Sequence, residues 1–158
     1  MLRGVFALCL LLPLLTQCCG RSELRSALAS GDIVCIGSVL DEIPDINRAY
    51  KTPYYEGTSI SLTPLHQAIC CYVGGFPGHE EKGVRVVRYL ISRGADVNAR
   101  IPEDGRTPLH LAAGIDGIEA PLLYAALLEA GADASIRDNR GRTAADILRE
   151  IREIRDDR

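Results

Sequence analysis

Three histidines and the adjacent cysteines Cys70 and Cys71 are the side chains of this chain that could carry out chemistry. Nucleophilic catalysis requires a serine or cysteine within hydrogen-bond reach of a base such as histidine. His66 and His110 both end a Thr-Pro-Leu-His tetrad that occurs twice, which indicates a structural role for them. His79 lies in a glycine-rich segment, where nothing in the sequence braces it in a catalytic geometry. We therefore predict no catalytic residues and no enzymatic activity.

Cys70, Cys71 and His79 are also the residues that could gather a soft metal ion. Adjacent residues on a helix point about 100° apart, and no Cys-x-x-Cys or second histidine pair completes a tetrahedral set. The glycines between positions 74 and 83 lack the Gly-Lys-Ser/Thr ending of a phosphate-binding loop. The sequence thus predicts no metal and no cofactor. A thiol-redox or metal-handling role for Cys70 and Cys71 is the alternative of a different class.

Three related segments set the organisation of the chain: Thr63–His66, Thr107–His110 and a degraded copy, Thr143–Asp146. The threonine is a good N-cap for a helix, and the proline fits the first helical position, where its missing N–H costs nothing. The leucine then opens an apolar face. One motif in three copies indicates a repeat protein.

A second motif, Gly94–Asn98 and Gly131–Ser135, follows the tetrads in the chain. Together the two motifs resemble those of the ankyrin repeat, whose second helix ends in Gly-Ala-Asp-Val-Asn. Successive tetrads lie further apart than the about 33 residues of an ideal unit, so we expect insertions in loops. The resemblance implies that histidine pairs with the threonine hydroxyl in each tetrad. It also implies an all-α solenoid of helix-turn-helix units joined by β-hairpin-like fingers, with protein binding as its function.

The first twenty residues are predicted to be a signal peptide. An apolar run of about 11 residues, Val5–Leu15, follows Arg3 and is too short to span a membrane, which needs about 20 residues. An uncleaved anchor is therefore disfavoured, and we expect an exported bacterial protein, periplasmic or secreted. The domain boundaries follow: signal peptide 1–20 and repeat domain 21–158, with a cap unit 22–47, a unit 48–98 carrying insertions, a unit 99–135 and a C-terminal cap 136–158.

Two modes of signal processing remain open. The segment Leu15–Cys18 resembles a bacterial lipobox at its first two positions, but Gln17 stands where the lipobox requires a small residue. Processing at this lipobox would make a lipoprotein that is tethered to the membrane at Cys18. The other mode is a conventional cut after Gly20.

Removal of the signal would leave three cysteines, an odd number in an oxidising compartment. One free thiol or an intermolecular bond would follow, or all three could simply be buried small residues. Matching Gly31–Asn47 without gaps to the second half of a repeat places Cys35 at the position of a core valine.

Helical spacing of apolar residues predicts the positions of the remaining elements. A first helix is expected at 22–29. In the second unit we expect a helix over 63–72, a glycine- and proline-rich loop over 74–83 and a helix from Val84. In the third unit a helix is expected over 107–113, and a final helix begins near Thr143 with a polar outer face suited to a cap.

The best candidate for a binding site is the long first finger, residues 48–62, which carries Tyr50, Tyr54 and Tyr55. Tyrosine is enriched at interface hot spots and is ordered at low entropic cost. The alternative is that these rings fold back over the first helix pair. Phe76 is likewise either a contact residue or a plug over the helix ends. The predicted partner-binding residues are Tyr50, Lys51, Tyr54, Tyr55, Glu56, Phe76, Arg100, Glu103, Arg106, Arg137 and Arg140.

The formal net charge of −3 gives no basic surface for nucleic acid, so the expected partner is another protein. We expect contact through the fingers and the concave face of the first helix of each unit. An exported binding scaffold suggests two roles: guarding or adapting a periplasmic enzyme, or neutralising a toxic effector as an immunity protein.

Overall fold

The computed structural model describes residues 16–53, 59–72, 79–114 and 120–156. Within these ranges the chain is helical except for one antiparallel hairpin, in which Tyr50 pairs with Leu62 and Pro53 with Ser59. In chain order the elements are α1 (Thr16–Ser30), α2 (Ile33–Asp41), β1 (Tyr50–Pro53), β2 (Ser59–Leu62), α3 (Pro64–Tyr72), α4 (His79–Ser92), α5 (Pro108–Ala113), α6 (Pro121–Glu129) and α7 (Ala144–Asp156).

The helices pack as consecutive pairs, α1 with α2, α3 with α4 and α5 with α6. The first helices of successive pairs also pack on one another, from α1 through α3 and α5 to α7, and α4 packs on α6. This arrangement confirms the predicted helix-turn-helix units. One continuous core of buried residues results, and Leu28, Leu65, Leu109 and Leu127 are among its fully buried members.

The backbone N–H groups at the N-termini of α2 and α6 are bonded by side chains, which come from the preceding residue in α2 and from a neighbouring unit in α6. Asp32 caps α2 by accepting a hydrogen bond from the backbone N–H of Val34 at 2.9 Å. The residue before α6 is an alanine and cannot cap it. Instead, the carboxylate of Glu80 on α4 accepts the N–H of Leu122 at 2.7 Å, which also places a negative charge at the positive end of α6.

Two helices begin earlier than the sequence predicts. Helix α4 begins at His79 rather than at Val84, so the predicted loop over 74–83 was wrong for its second half. Glu80 and Glu81 explain the difference, because acidic side chains in the first turn stabilise a helix N-terminus. Helix α1 begins at Thr16 and not at residue 22, and therefore reaches into the segment predicted as signal peptide.

Cys35 is exposed, which corrects the prediction that it occupies a core position. The core positions of α2 are Ile36, Gly37 and Leu40. One residue fewer separates Leu40 from Asp45 than separates the matching pair, Leu90 and Asp96. The ungapped match therefore ran one position out of register along α2, and that shift turns a side chain out of the core.

Tyr72 ties three helices together in the first half of the core. Its side chain is 2% exposed, and its hydroxyl donates a hydrogen bond to the backbone carbonyl of Leu28 on α1. A Cβ added at Gly83 on α4 would lie 2.7 Å from the Cβ of Tyr72. Gly83 is therefore the residue that lets α4 approach α3 this closely.

We predict that Gly83→Ala lowers the free energy of unfolding by about 1–3 kcal/mol, because the new methyl group meets the fixed base of the Tyr72 side chain. At an unobstructed helical site the same change would stabilise the protein by about 1 kcal/mol. Gly37→Ala is the matched control, since its Cβ would meet only the hydroxyl end of Tyr89. Urea unfolding of both variants checks this, and equal effects would contradict it.

No helix in the described part of the chain is long and apolar enough to cross a membrane.

Candidate functional site

In the described part of the chain, three fingers connect α2 to α3, α4 to α5 and α6 to α7. The first is the β1–β2 hairpin, the second is closed by a hydrogen bond from the N–H of Ile101 to the carbonyl of Arg106 at 2.8 Å, and the third by one from Asp138 to Arg142 at 2.9 Å. Gly105 turns the second finger with φ at +72°, a conformation that favours glycine. We refer to the described parts of these fingers, residues 50–53, 59–62, 99–106 and 136–142, as the finger row.

The fingers are bonded to one another as well as closed individually. The carboxylate of Glu103 accepts the backbone N–H of Ser61 at 3.0 Å and its hydroxyl at 2.6 Å. The N–H of Asn139 donates to the carbonyl of Asp104 at 2.9 Å. The finger row is thus joined by hydrogen bonds from its first finger to its third.

The acidic side chains of the finger row accept hydrogen bonds from other residues of the row. The hydrogen bond from Ser61 lowers the pKa of Glu103. Asp104 accepts the Arg106 guanidinium at 2.6 Å, and this pair fixes the turn of the second finger.

Asp138 holds the third finger from inside. Its carboxylate, which is buried, lies 3.0 Å from the guanidinium of Arg142 and also accepts the backbone N–H groups of Arg140 and Arg142 at 2.9 Å. Burial alone would raise the pKa of Asp138, but these hydrogen bonds outweigh it and the pKa is lowered. Arg142 in turn reaches Glu150 on α7 at 2.9 Å.

The predicted partner-binding residues divide into three groups. Tyr54, Tyr55, Glu56 and Phe76 lie outside the described residues. Glu103, Arg106 and Arg137 hold the fingers, and Arg137 does so by donating to the carbonyl of Gly141 at 2.6 Å. Lys51, Arg100 and Arg140 are exposed and have no ion pair among the described residues, while Tyr50 is half-buried beside them.

The first helices of the second and third pairs, α3 and α5, expose little of the expected concave helix face. All six residues of α5 are buried, and in α3 only Cys70 and Cys71 are partly exposed. Helix α5 is covered because it is short and packs on α3, α6 and α7. The side chain of Gln67 on α3 donates to the hydroxyl of Thr52 on β1 at 3.2 Å, so the first finger lies against α3. Next to α3 and α5, the fingers are therefore the accessible part of the predicted surface.

The tetrad histidines have the structural role predicted for them. Both rings are buried, and their Nδ1 atoms lie 2.8 Å from the hydroxyls of Thr63 and Thr107. The N–H of Thr107 donates to Nδ1 of His110, so the proton of that neutral ring is on Nε2, which donates to the carbonyl of Arg142 at 3.0 Å. Nε2 of His66 has no such partner among the described residues.

We predict that acid destabilises the protein through His66, because burial lowers its pKa from 6.5 to about 4. The folded ring stays neutral while the unfolded ring takes up a proton below about pH 6.5, so stability is lost as the pH falls from 6.5 toward 4. The loss between pH 7.5 and 5 should be about 2 kcal/mol for this group. Urea unfolding at both pH values should show that His66→Gln loses less than the wild type, whereas equal losses would contradict this assignment.

Cys70 and Cys71 lie in surroundings that disfavour the thiolate form. Burial raises the pKa of Cys70 to about 12 and also raises that of Cys71, which opposes the thiolate needed for redox chemistry or metal binding. The exposed Cys35 donates to the carboxylate of Asp32 at 3.3 Å, and this bond raises its pKa. Within the described ranges, no three His, Cys, Asp or Glu side chains are grouped as metal ligands would be.

Several known proteins are similar to part of this chain. The chain is 36% identical over 76 residues to the E3 ubiquitin-protein ligase KEG of Arabidopsis thaliana, covering 48% of this chain and 4% of the relative. It is 42% identical over 89 residues to the neurogenic locus Notch protein of Drosophila melanogaster, covering 52% and 3%. Identity to the NF-kappa-B inhibitor cactus of the same fly is 44% over 109 residues, covering 59% and 21%. The chain therefore spans less than a quarter of each of these relatives.

Two family descriptions match the chain directly. Residues 79–116 match "Ankyrin repeats (many copies)" and residues 104–139 match "Ankyrin repeat". These ranges contain α4, α5, α6 and the second finger, where both sequence motifs lie. Residues 79–139 are therefore similar to ankyrin repeats.

Proposed function

We propose that this protein is an exported, non-enzymatic ankyrin solenoid that binds another protein through its finger row. The observation that carries the proposal is the bonding of the three fingers to one another. A surface that is ordered before binding loses little conformational entropy when a partner docks, so more of the contact energy appears as affinity.

The accessibility of the fingers also supports the finger row as the binding surface. Lys51, Arg100 and Arg140 are exposed, whereas every residue of the adjacent α5 is buried. Partner contacts made by the fingers would therefore leave the core undisturbed.

An inhibitory role is the form of protein binding that we favour. One relative, cactus, is named as an inhibitor of another protein. For an exported chain, the corresponding roles are guarding or adapting a periplasmic enzyme, or neutralising a toxic effector. A gene for a toxic effector beside the gene for this protein would select the second role.

Export is proposed from the apolar run Val5–Leu15 behind Arg3. A fusion of residues 1–20 to a reporter that is active only in the periplasm tests it. Activity of the fusion supports export, and cytoplasmic retention of the full-length protein contradicts it.

Site-specific photocrosslinking in the source cells tests binding by the finger row. A crosslinking amino acid is placed at Ser59, which is exposed on β2, and in a matched variant at Arg85, which is exposed on α4. We expect a discrete crosslinked protein from Ser59 and none from Arg85. Crosslinks from Arg85 alone, or from neither site, would contradict the proposal.

A further inference from the structure

The charge of the finger row is opposite in sign to that of the whole chain. Its described residues include six basic and three acidic side chains, whereas the complete chain has 18 basic and 21 acidic ones. The basic members are Lys51, Arg100, Arg106, Arg137, Arg140 and Arg142, and the acidic members are Glu103, Asp104 and Asp138.

Internal bonds determine which of these charges a partner can reach. Each carboxylate of the row already accepts hydrogen bonds from within the row, as described above for Glu103, Asp104 and Asp138. Lys51, Arg100 and Arg140 have no ion pair among the described residues. The charges left available to a partner are therefore predominantly positive.

The three free cations are spread along one continuous row. Lys51 pairs directly with Ser61 in the hairpin, and directly opposed residues project from the same face of a sheet. That face meets the second finger, because the Ser61 hydroxyl is bonded to Glu103.

Arg100 and Arg140 continue the row toward the third finger. A Cβ added at Gly105 would lie 2.7 Å from Nη2 of Arg100 and would also meet the side chain of Asn139, the neighbour of Arg140. The Arg100 guanidinium therefore lies against Gly105, at the join between the second and third fingers.

We infer that the finger row binds an acidic segment of its partner protein, an inference that rests on the proposed function. Aspartate and glutamate side chains of the partner would pair with Lys51, Arg100 and Arg140. A polypeptide fits better than a polyphosphate or an anionic membrane. Glu103 and Asp104 are interleaved with the cations, so the row presents separated positive charges rather than the continuous positive surface that suits a run of phosphates or an anionic membrane.

The first test measures binding of poly-L-glutamate to the full-length protein in low salt. The triple variant Lys51→Gln, Arg100→Gln, Arg140→Gln should bind about tenfold more weakly than the wild type. The matched control Arg25→Gln, Lys82→Gln, Arg85→Gln changes the net charge equally at exposed helix positions and should lose less than about twofold. Binding should weaken as salt is added, because the contacts are made by exposed charges. Equal losses in the two variants, or no binding by the wild type, would overturn the inference.

Competing ligands form the second arm of this test. A single-stranded oligonucleotide and phosphatidylglycerol vesicles are titrated under the same conditions. Tighter binding of either than of poly-L-glutamate would overturn the acidic-peptide assignment.

A third arm separates this inference from the proposed function. The crosslinker at Ser59 is combined with each triple variant in the source cells. A crosslink that is lost with the finger-row variant but retained with the control supports the inference. A crosslink retained with both variants would overturn the acidic partner while leaving finger-row binding intact, and a crosslink absent even without the substitutions would contradict the proposed function itself.

Discussion

Replacing Tyr72 by alanine is expected to lower the free energy of unfolding by about 3–5 kcal/mol, the range for removing a large buried ring. Tyr72 is the largest of the fully buried side chains among the described residues. Its ring fills the space between α3 and Gly83 on α4, and its hydroxyl reaches the carbonyl of Leu28 on α1. The variant removes both the packing and the hydrogen bond. Urea denaturation followed by circular dichroism measures the loss.

Tyr72→Phe is the matched control, because it keeps the ring and removes only the hydroxyl. A net hydrogen bond contributes about 1 kcal/mol, and the carbonyl of Leu28 would be left without its donor. We therefore expect about 1–2 kcal/mol from this change. Equal losses in the two variants would show that the hydroxyl, and not the ring, holds the three helices together.

Leu109→Ala is expected to lower the free energy of unfolding by about 2–5 kcal/mol. Leu109 is 1% exposed in α5, and α5 packs on both α3 and α7. The cavity would lie in a layer shared by neighbouring units, so no single unit can collapse to fill it.

Leu128→Ala on α6 is the control for this second prediction, because Leu128 is 41% exposed. A surface change of this kind usually alters stability by no more than about 0.5 kcal/mol. A loss well under 1 kcal/mol for Leu109→Ala, comparable to that of Leu128→Ala, would contradict the placement of Leu109 in the core.

Repeated local motifs made the helix pairs predictable from the sequence. Thr107–His110 carries its own capping chemistry, so the start of α5 follows from the residues alone. Gly94 and Gly131 end α4 and α6 with positive φ, as expected for glycine just after a helix. These signals are short-range and can be recognised without the rest of the chain.

Side-chain bonds within and between the fingers account for what the sequence did not reveal. Asp138 binds Arg140 and Arg142 in its own finger, and Glu103 binds Ser61 in the preceding finger. The presence of a charged residue in a loop does not by itself identify such partners. A weak signal was present: an arginine directly precedes Thr107 and Thr143, with an aspartate shortly before it, and these form the ion pairs of the second and third fingers. The position of Cys35 was missed because one deleted residue in a loop shifts a helix by a full register step.

Hydrogen exchange of the free protein tests the central claim most directly, namely that the fingers form a single ordered surface before any partner binds. The measurement follows the amides of Ile101, Gly105 and Asn139, which donate hydrogen bonds within and between fingers. We predict that these amides exchange at least about tenfold more slowly than in an unfolded chain. Exchange at the unfolded rate for these amides, with α3 and α5 still protected, would contradict it.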